Sequence, residues 1–144
     1  MKYLAYGVSL SRKEMARYCP NARFLGTGVL YDWRLMFKGE MPHSYATIEE
    51  WEGYSVPFAL WEISASDEQA LDYFIGYPSH YRKGFLEAEF EGEDVKAMYY
   101  FKNPEQRTQP PMLHYYNAVV EAYAELEFDD APLKEALDFS ESCP

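Results

Sequence analysis

The stretch Ala22–Phe37, ARFLGTGVLYDWRLMF, decides the fold class. Phe, Val, Leu, Tyr and Trp crowd it, as they crowd half-buried pleated strands. Gly26 and Gly28 are the positions where such a strand would bulge or bend. It reads as one long strand, and the surrounding chain supplies partners. Downstream, Tyr45–Trp51 (YATIEEW) and Val56–Ser64 (VPFALWEIS) read as two more strands divided by the turn signal Glu52-Gly53. Tyr81–Phe90 and Asp94–Phe101 read as a hairpin about Glu91-Gly92-Glu93. Upstream, Lys2–Tyr6 alternates loosely and reads as a short strand.

Helical signals fall between and after these strands. Ser11-x-x-Glu14 has the form of a capping box, so a helix starts near Arg12 and ends before Pro20. Ser66-Asp67-Glu68-Gln69 has the same form, with acids in the first turn where the helix dipole favours them. That helix runs to Phe74 or Ile75 and stops at Gly76. Pro110-Pro111 precedes a long helix over His114–Glu127, whose apolar residues recur at helical spacing. Ala131–Phe139 reads as a short last helix. About six strands with these helices predict one mixed α/β domain over residues 1–144, its strands closing or curling into a small β-barrel flanked by helices.

Composition narrows the function classes. At 144 residues and 48% hydrophobic, the chain can bury a core without disulfides or metals. Its formal charge of −11 repels phosphate backbones, and no basic stripe offsets it, so nucleic acid and anionic membranes are excluded as partners. No apolar run approaches a membrane span, and MKYLAYGVSL lacks an export signal, so a cytoplasmic location is expected. Cys19 and Cys143 are then expected as reduced thiols. His43, His80 and His114 lack ligand spacing, so no metal or cofactor is expected. Tyrosine is abundant, at 14 residues, and suits a lined pocket as well as a core.

Two places carry possible chemistry. Tyr6-Gly7-Val8-Ser9-Leu10 lies between a strand and a helix start, where consecutive N–H groups suit an anion such as a carboxylate. It also suits a plain tight turn. The helix end Leu71–Pro78, LDYFIGYP, sets Leu71 and Ile75 on one face with Asp72 beside them. From periodicity alone Ile75 is a core residue and Asp72 a solvent-facing or hydrogen-bonded acid. Tyr81, Tyr99, Tyr100, Tyr115 and Tyr116 are core or pocket aromatics. Alternation sends Tyr99 and Tyr100 to opposite faces.

Taken in order, YGVSL, Cys19-Pro20, FLGTGVLYDWRLMF, Ala46-Thr47-Ile48, VPFALWEIS, LDYFIGYP, YRKGF and PPMLHYYNAVVEAY resemble the γ-glutamylcyclotransferase-like (AIG2-like) family. The resemblance runs from about Lys2 to Leu137. It implies a small mixed β-barrel flanked by helices and conversion of γ-glutamyl compounds to 5-oxoproline. It further implies substrate binding by Tyr6, Gly7, Val8, Ser9, Leu10 and Tyr81. In the family a Leu-Asp-x-x-Glu-Gly motif supplies a glutamate that shuttles the proton. Here Ile75 stands in its place, and Val8-Ser9 replace the usual Ser-Asn.

Isoleucine has no proton to exchange, and general acid–base catalysis contributes about 10²–10⁴-fold. The expectation is therefore a family member with a pocket for a small γ-glutamyl or amino-acid-like ligand and without efficient cyclotransferase activity. Two alternatives stand beside it. One is an active γ-glutamyl(amine) cyclotransferase using a substitute acid, with Asp72, Glu62 and Glu50 as candidates and Glu49 next to them. The other is a protein-interaction module.

Overall fold

The computed structural model describes residues 1–142. Five strands, β1 (Lys2–Ala5), β2 (Arg23–Lys38), β3 (Tyr45–Glu62), β4 (Arg82–Phe90) and β5 (Glu93–Phe101), form one sheet in the order β2-β3-β1-β5-β4. Two long hairpins, β2–β3 and β4–β5, are antiparallel. The short β1 joins them. It runs antiparallel to β3, with Ala5 opposite Ala59, and parallel to β5, with Tyr3 opposite Met98.

Two expectations are corrected. The strands number five because Glu52-Gly53 does not break β3. Opposite it, Asp32 (φ 64°) and Gly53 (φ 90°) absorb a register shift between Tyr31 and Trp33, and the Asp32 carboxylate accepts the Gly53 N–H at 3.1 Å. The turn signal was a bulge. The sheet is also open, not a closed barrel. Its edge strands β2 and β4 approach through Phe90, whose ring lies 3.1 Å from where a Cβ on Gly26 would sit, but they do not pair.

Four α-helices flank the sheet: α1 (Arg12–Tyr18), α2 (Ala65–Ile75), α3 (Leu113–Glu125) and α4 (Ala131–Ser142). Ser11 caps α1 by accepting the Glu14 N–H. For α2 the cap is Ser64, two residues before the expected Ser66. Ser64 accepts from Asp67 N, and the Asp67 carboxylate accepts from Ser64 N. This pairing puts Asp67 at the third helical position, where its carboxylate completes the reciprocal box. The core is continuous through Tyr3, Leu10, Phe37, Phe58, Leu60 and Tyr123. Cys19 is buried on α1's C-terminal side, and burial raises its thiol pKa to about 11. Cys143 lies outside the described residues. Among those residues no helix is long and apolar enough to cross a membrane, and no cluster of His, Cys, Asp or Glu is arranged to hold a metal.

Candidate functional site

β1 ends at Ala5, and the chain turns at once into a 3₁₀ segment, Val8–Leu10. The Leu10 and Ser11 amides donate to the Gly7 and Val8 carbonyls at 3.0 Å. The Val8 and Ser9 amides start this turn and have no backbone partner among the described residues. Gly7 faces Ala46 and Tyr115: a Cβ there would meet the Ala46 Cβ at 3.6 Å and the Tyr115 hydroxyl at 3.7 Å.

This turn forms one wall of a cavity of about 500 Å³. The end of α2 forms another wall with Phe74, Ile75 and Gly76, while α3 contributes His114, Tyr115 and Ala118. The stop of α2 fixes the second wall. Gly76 takes the left-handed conformation (φ 88°), and its N–H and that of Tyr77 both donate to Asp72 O. Phe74 stacks on Tyr18 at 3.9 Å, which leaves Ile75 half-buried on the cavity side.

The floor is phenolic. Of β3, only Ala59–Glu62 pairs with β1, so the first part of β3 has a ladder partner on one side alone. Tyrosines satisfy the other side. Tyr115 accepts the Ala46 N–H at 3.0 Å, and Tyr81 donates to Ala46 O. Tyr6 donates to Tyr100 O at 2.6 Å, and Tyr100 donates to the Asp72 carboxylate at 2.6 Å. Burial pushes the phenol pKa values up, that of Tyr115 to about 12, and it likewise raises those of Tyr6, Tyr81 and Tyr100 above the ordinary value. All are therefore neutral hydroxyls at pH 7.

The sequence candidates sort clearly. Tyr6, Gly7, Val8, Ser9, Ile75 and Tyr81 line this one cavity. Leu10 does not, because it is fully buried in the core beneath the turn. None of the candidate acids lines it. Asp72 points to Lys83 Nζ (2.9 Å) and Tyr100. Glu62 lies at the far end of β3, where the Met1 amino group at 2.6 Å lowers its pKa. Glu50 is exposed opposite Trp33, and Glu49 pairs with Lys38 at 2.7 Å. Among the described residues no Asp or Glu lines the cavity.

Sequence reading missed His80, Tyr45 and Lys102. His80 and Tyr45 line the cavity, and His43 stacks on His80 with ring centres 4.7 Å apart. Lys102 is buried beside them, over the Tyr45 and Tyr81 rings at 4.9 and 5.4 Å. Tyr45 starts β3, His80 lies in the turn after α2 and Lys102 follows β5, so no sequence spacing announces them.

Comparison with known proteins gives a consistent result. A family model described as gamma-glutamyl cyclotransferase, AIG2-like, matches residues 3–118. Among solved structures, one named gamma-glutamyl cyclotransferase superposes with a TM-score of 0.77 at 22% identity, over 100% of this chain and 88% of that chain. An uncharacterized human protein gives 0.75 at 22% identity, over 99% and 87%. A mouse AIG2-like protein gives 0.57 at 25% identity, over 72% and 80%. No curated protein matches the chain.

Proposed function

Because the chain belongs to the gamma-glutamyl cyclotransferase, AIG2-like family, we propose that its cavity binds a small γ-glutamyl or amino-acid-like ligand without cyclising it efficiently. One observation carries this reading: among the described residues the cavity wall holds no carboxylate, and Ile75 lies on it.

The family reaction makes clear why that matters. The ligand's α-amino nitrogen bonds to its own γ-carbonyl carbon, and the amide C–N bond breaks. One proton must leave the attacking nitrogen and one must reach the departing nitrogen. A carboxylate in an apolar pocket suits both transfers, since burial raises its pKa toward neutrality. Ile75 fills the position that the family's Leu-Asp-x-x-Glu-Gly motif gives to that carboxylate. The phenols are too weakly acidic to replace it. His80 is a poor substitute, because burial, His43 and Lys102 all disfavour its protonated form. The Gly7–Ser9 turn still offers backbone N–H groups to a ligand carboxylate.

The test has two readouts. Calorimetry should register binding of γ-glutamyl compounds to the wild type. Release of 5-oxoproline should stay at background in the wild type and rise at least tenfold with Ile75→Glu. Robust wild-type turnover would overturn the reading.

The second reading is an active cyclotransferase with a relocated acid, and the Tyr100–Asp72 hydrogen bond favours it, because it joins the cavity to a carboxylate. It predicts wild-type turnover that Asp72→Asn abolishes.

A further inference from the structure

Lys102 is 1% exposed, yet among the described residues no carboxylate pairs with it. Its ammonium donates to His43 O at 2.9 Å and lies over the faces of Tyr45 and Tyr81. Every other lysine whose side chain is less than a fifth exposed in an ion pair has an acid: Lys38 has Glu49, and Lys83 has Glu68 and Asp72. A buried charge without a counter-charge is costly, so its retention in a chain of net charge −11 calls for an explanation. Gly39 maintains the arrangement, because a Cβ there would meet His43 O at 2.3 Å and Lys102 Nζ at 3.0 Å.

The cluster lies at the outer end of an aromatic path. From the Tyr115 hydroxyl beside Gly7, ring centres step 5.0 Å to Tyr45, 6.2 Å on to His80 and 4.7 Å to His43, which is exposed. Tyr115, Tyr45 and His80 all line the cavity. The path therefore leads from the turn at Gly7–Ser9 to two imidazoles with an ammonium behind them, and among the described residues no Asp or Glu lines the cavity there.

We infer that His80 and His43, backed by Lys102, form an anion subsite at the mouth of the cavity, so that the preferred ligand carries a carboxylate at the end remote from the Gly7–Ser9 turn. This deepens the proposed function and rests on it. The imidazole N–H groups reach the anion directly. Lys102 supplies positive potential at short range through a medium where charge is weakly screened.

The test uses two ligands that differ only by that group, γ-glutamylglycine and γ-glutamylmethylamide, titrated calorimetrically into the full chain. The wild type should bind the acid at least tenfold more tightly. In Lys102→Met, and separately in His80→Gln, the preference should fall below about threefold, with folding checked by circular dichroism. Two variants keep the test decisive if one fails to fold. Equal wild-type affinities, or an unchanged preference in a folded variant, would overturn the subsite while leaving the proposed function standing. If neither ligand binds, both fail. If the wild type turns the ligands over, the proposed function fails, and the preference is then read from KM.

Discussion

Lys102 holds an ammonium inside the protein with one carbonyl as its hydrogen-bond partner. Burial lowers its pKa to about 8 from the usual 10.5. Between those values the unfolded chain keeps the proton and the folded chain does not. Stability attributable to Lys102 therefore rises with pH across that window, and the full cost is felt below about pH 8. A gap of this size corresponds to roughly 3 kcal/mol. Urea denaturation at pH 7 should find Lys102→Met at least as stable as the wild type, with an advantage of about 1–3 kcal/mol that shrinks toward pH 10.5. A much less stable variant would mean that the ammonium is compensated after all. Ile75→Glu should act in the opposite sense. It places a carboxylate on an apolar wall at a cost of about 1–3 kcal/mol, and the deficit should grow between about pH 4 and 7 as the acid ionises.

At the scale of elements, α2 carries the argument, since its two ends decide where Ile75 and His80 sit. Ser64→Ala removes the reciprocal cap and should cost about 1 kcal/mol in a denaturant melt. Gly76→Ala meets two obstacles: a left-handed φ of 88° and a new Cβ 2.8 Å from His80 Cδ2. It should cost about 1–2 kcal/mol and also weaken ligand binding, as His80 is pushed aside. Unchanged melting of Gly76→Ala would refute this account of the helix stop. The same helix shows what a sequence can tell. Gly76 and the acids of the first turn announced its existence and its end, because those preferences are local. The choice between Ser64 and Ser66 needed the partner three residues on, and both spacings look acceptable on paper. β3 was cut in two for a related reason. Gly53 signals a turn unless a facing residue absorbs it, and Asp32 does so from another strand. The candidate site was legible where it follows the backbone, at Gly7–Ser9 and Ile75. It was illegible at His43, His80 and Lys102, whose meeting depends on how separate elements dock.

For the whole molecule, tyrosine burial sets the alkaline limit. Tyr3, Tyr6, Tyr81, Tyr100, Tyr115 and Tyr123 all have pKa values raised by desolvation. A raised phenol pKa adds stability below pH 10 that is lost as pH climbs past it. Each such group steepens the loss by up to about 1.4 kcal/mol per pH unit. Unfolding followed by circular dichroism should therefore be abrupt above about pH 10, with tyrosinate absorbance appearing together with it. Tyrosinate forming well before unfolding would contradict the burial. Closure of the sheet was beyond the sequence, since any set of alternating strands fits an open or a closed arrangement and only edge pairing distinguishes them. The short central strand bears on biosynthesis as well. β1 is translated before both hairpins, but its parallel neighbour is not complete until Met98 has been added. At ribosomal speeds that delay is roughly 5–20 s. For that time Tyr3, Leu4 and Ala5 have no finished sheet to enter, so the strand that holds the cavity turn in place is also the segment a nascent chain must keep from aggregating.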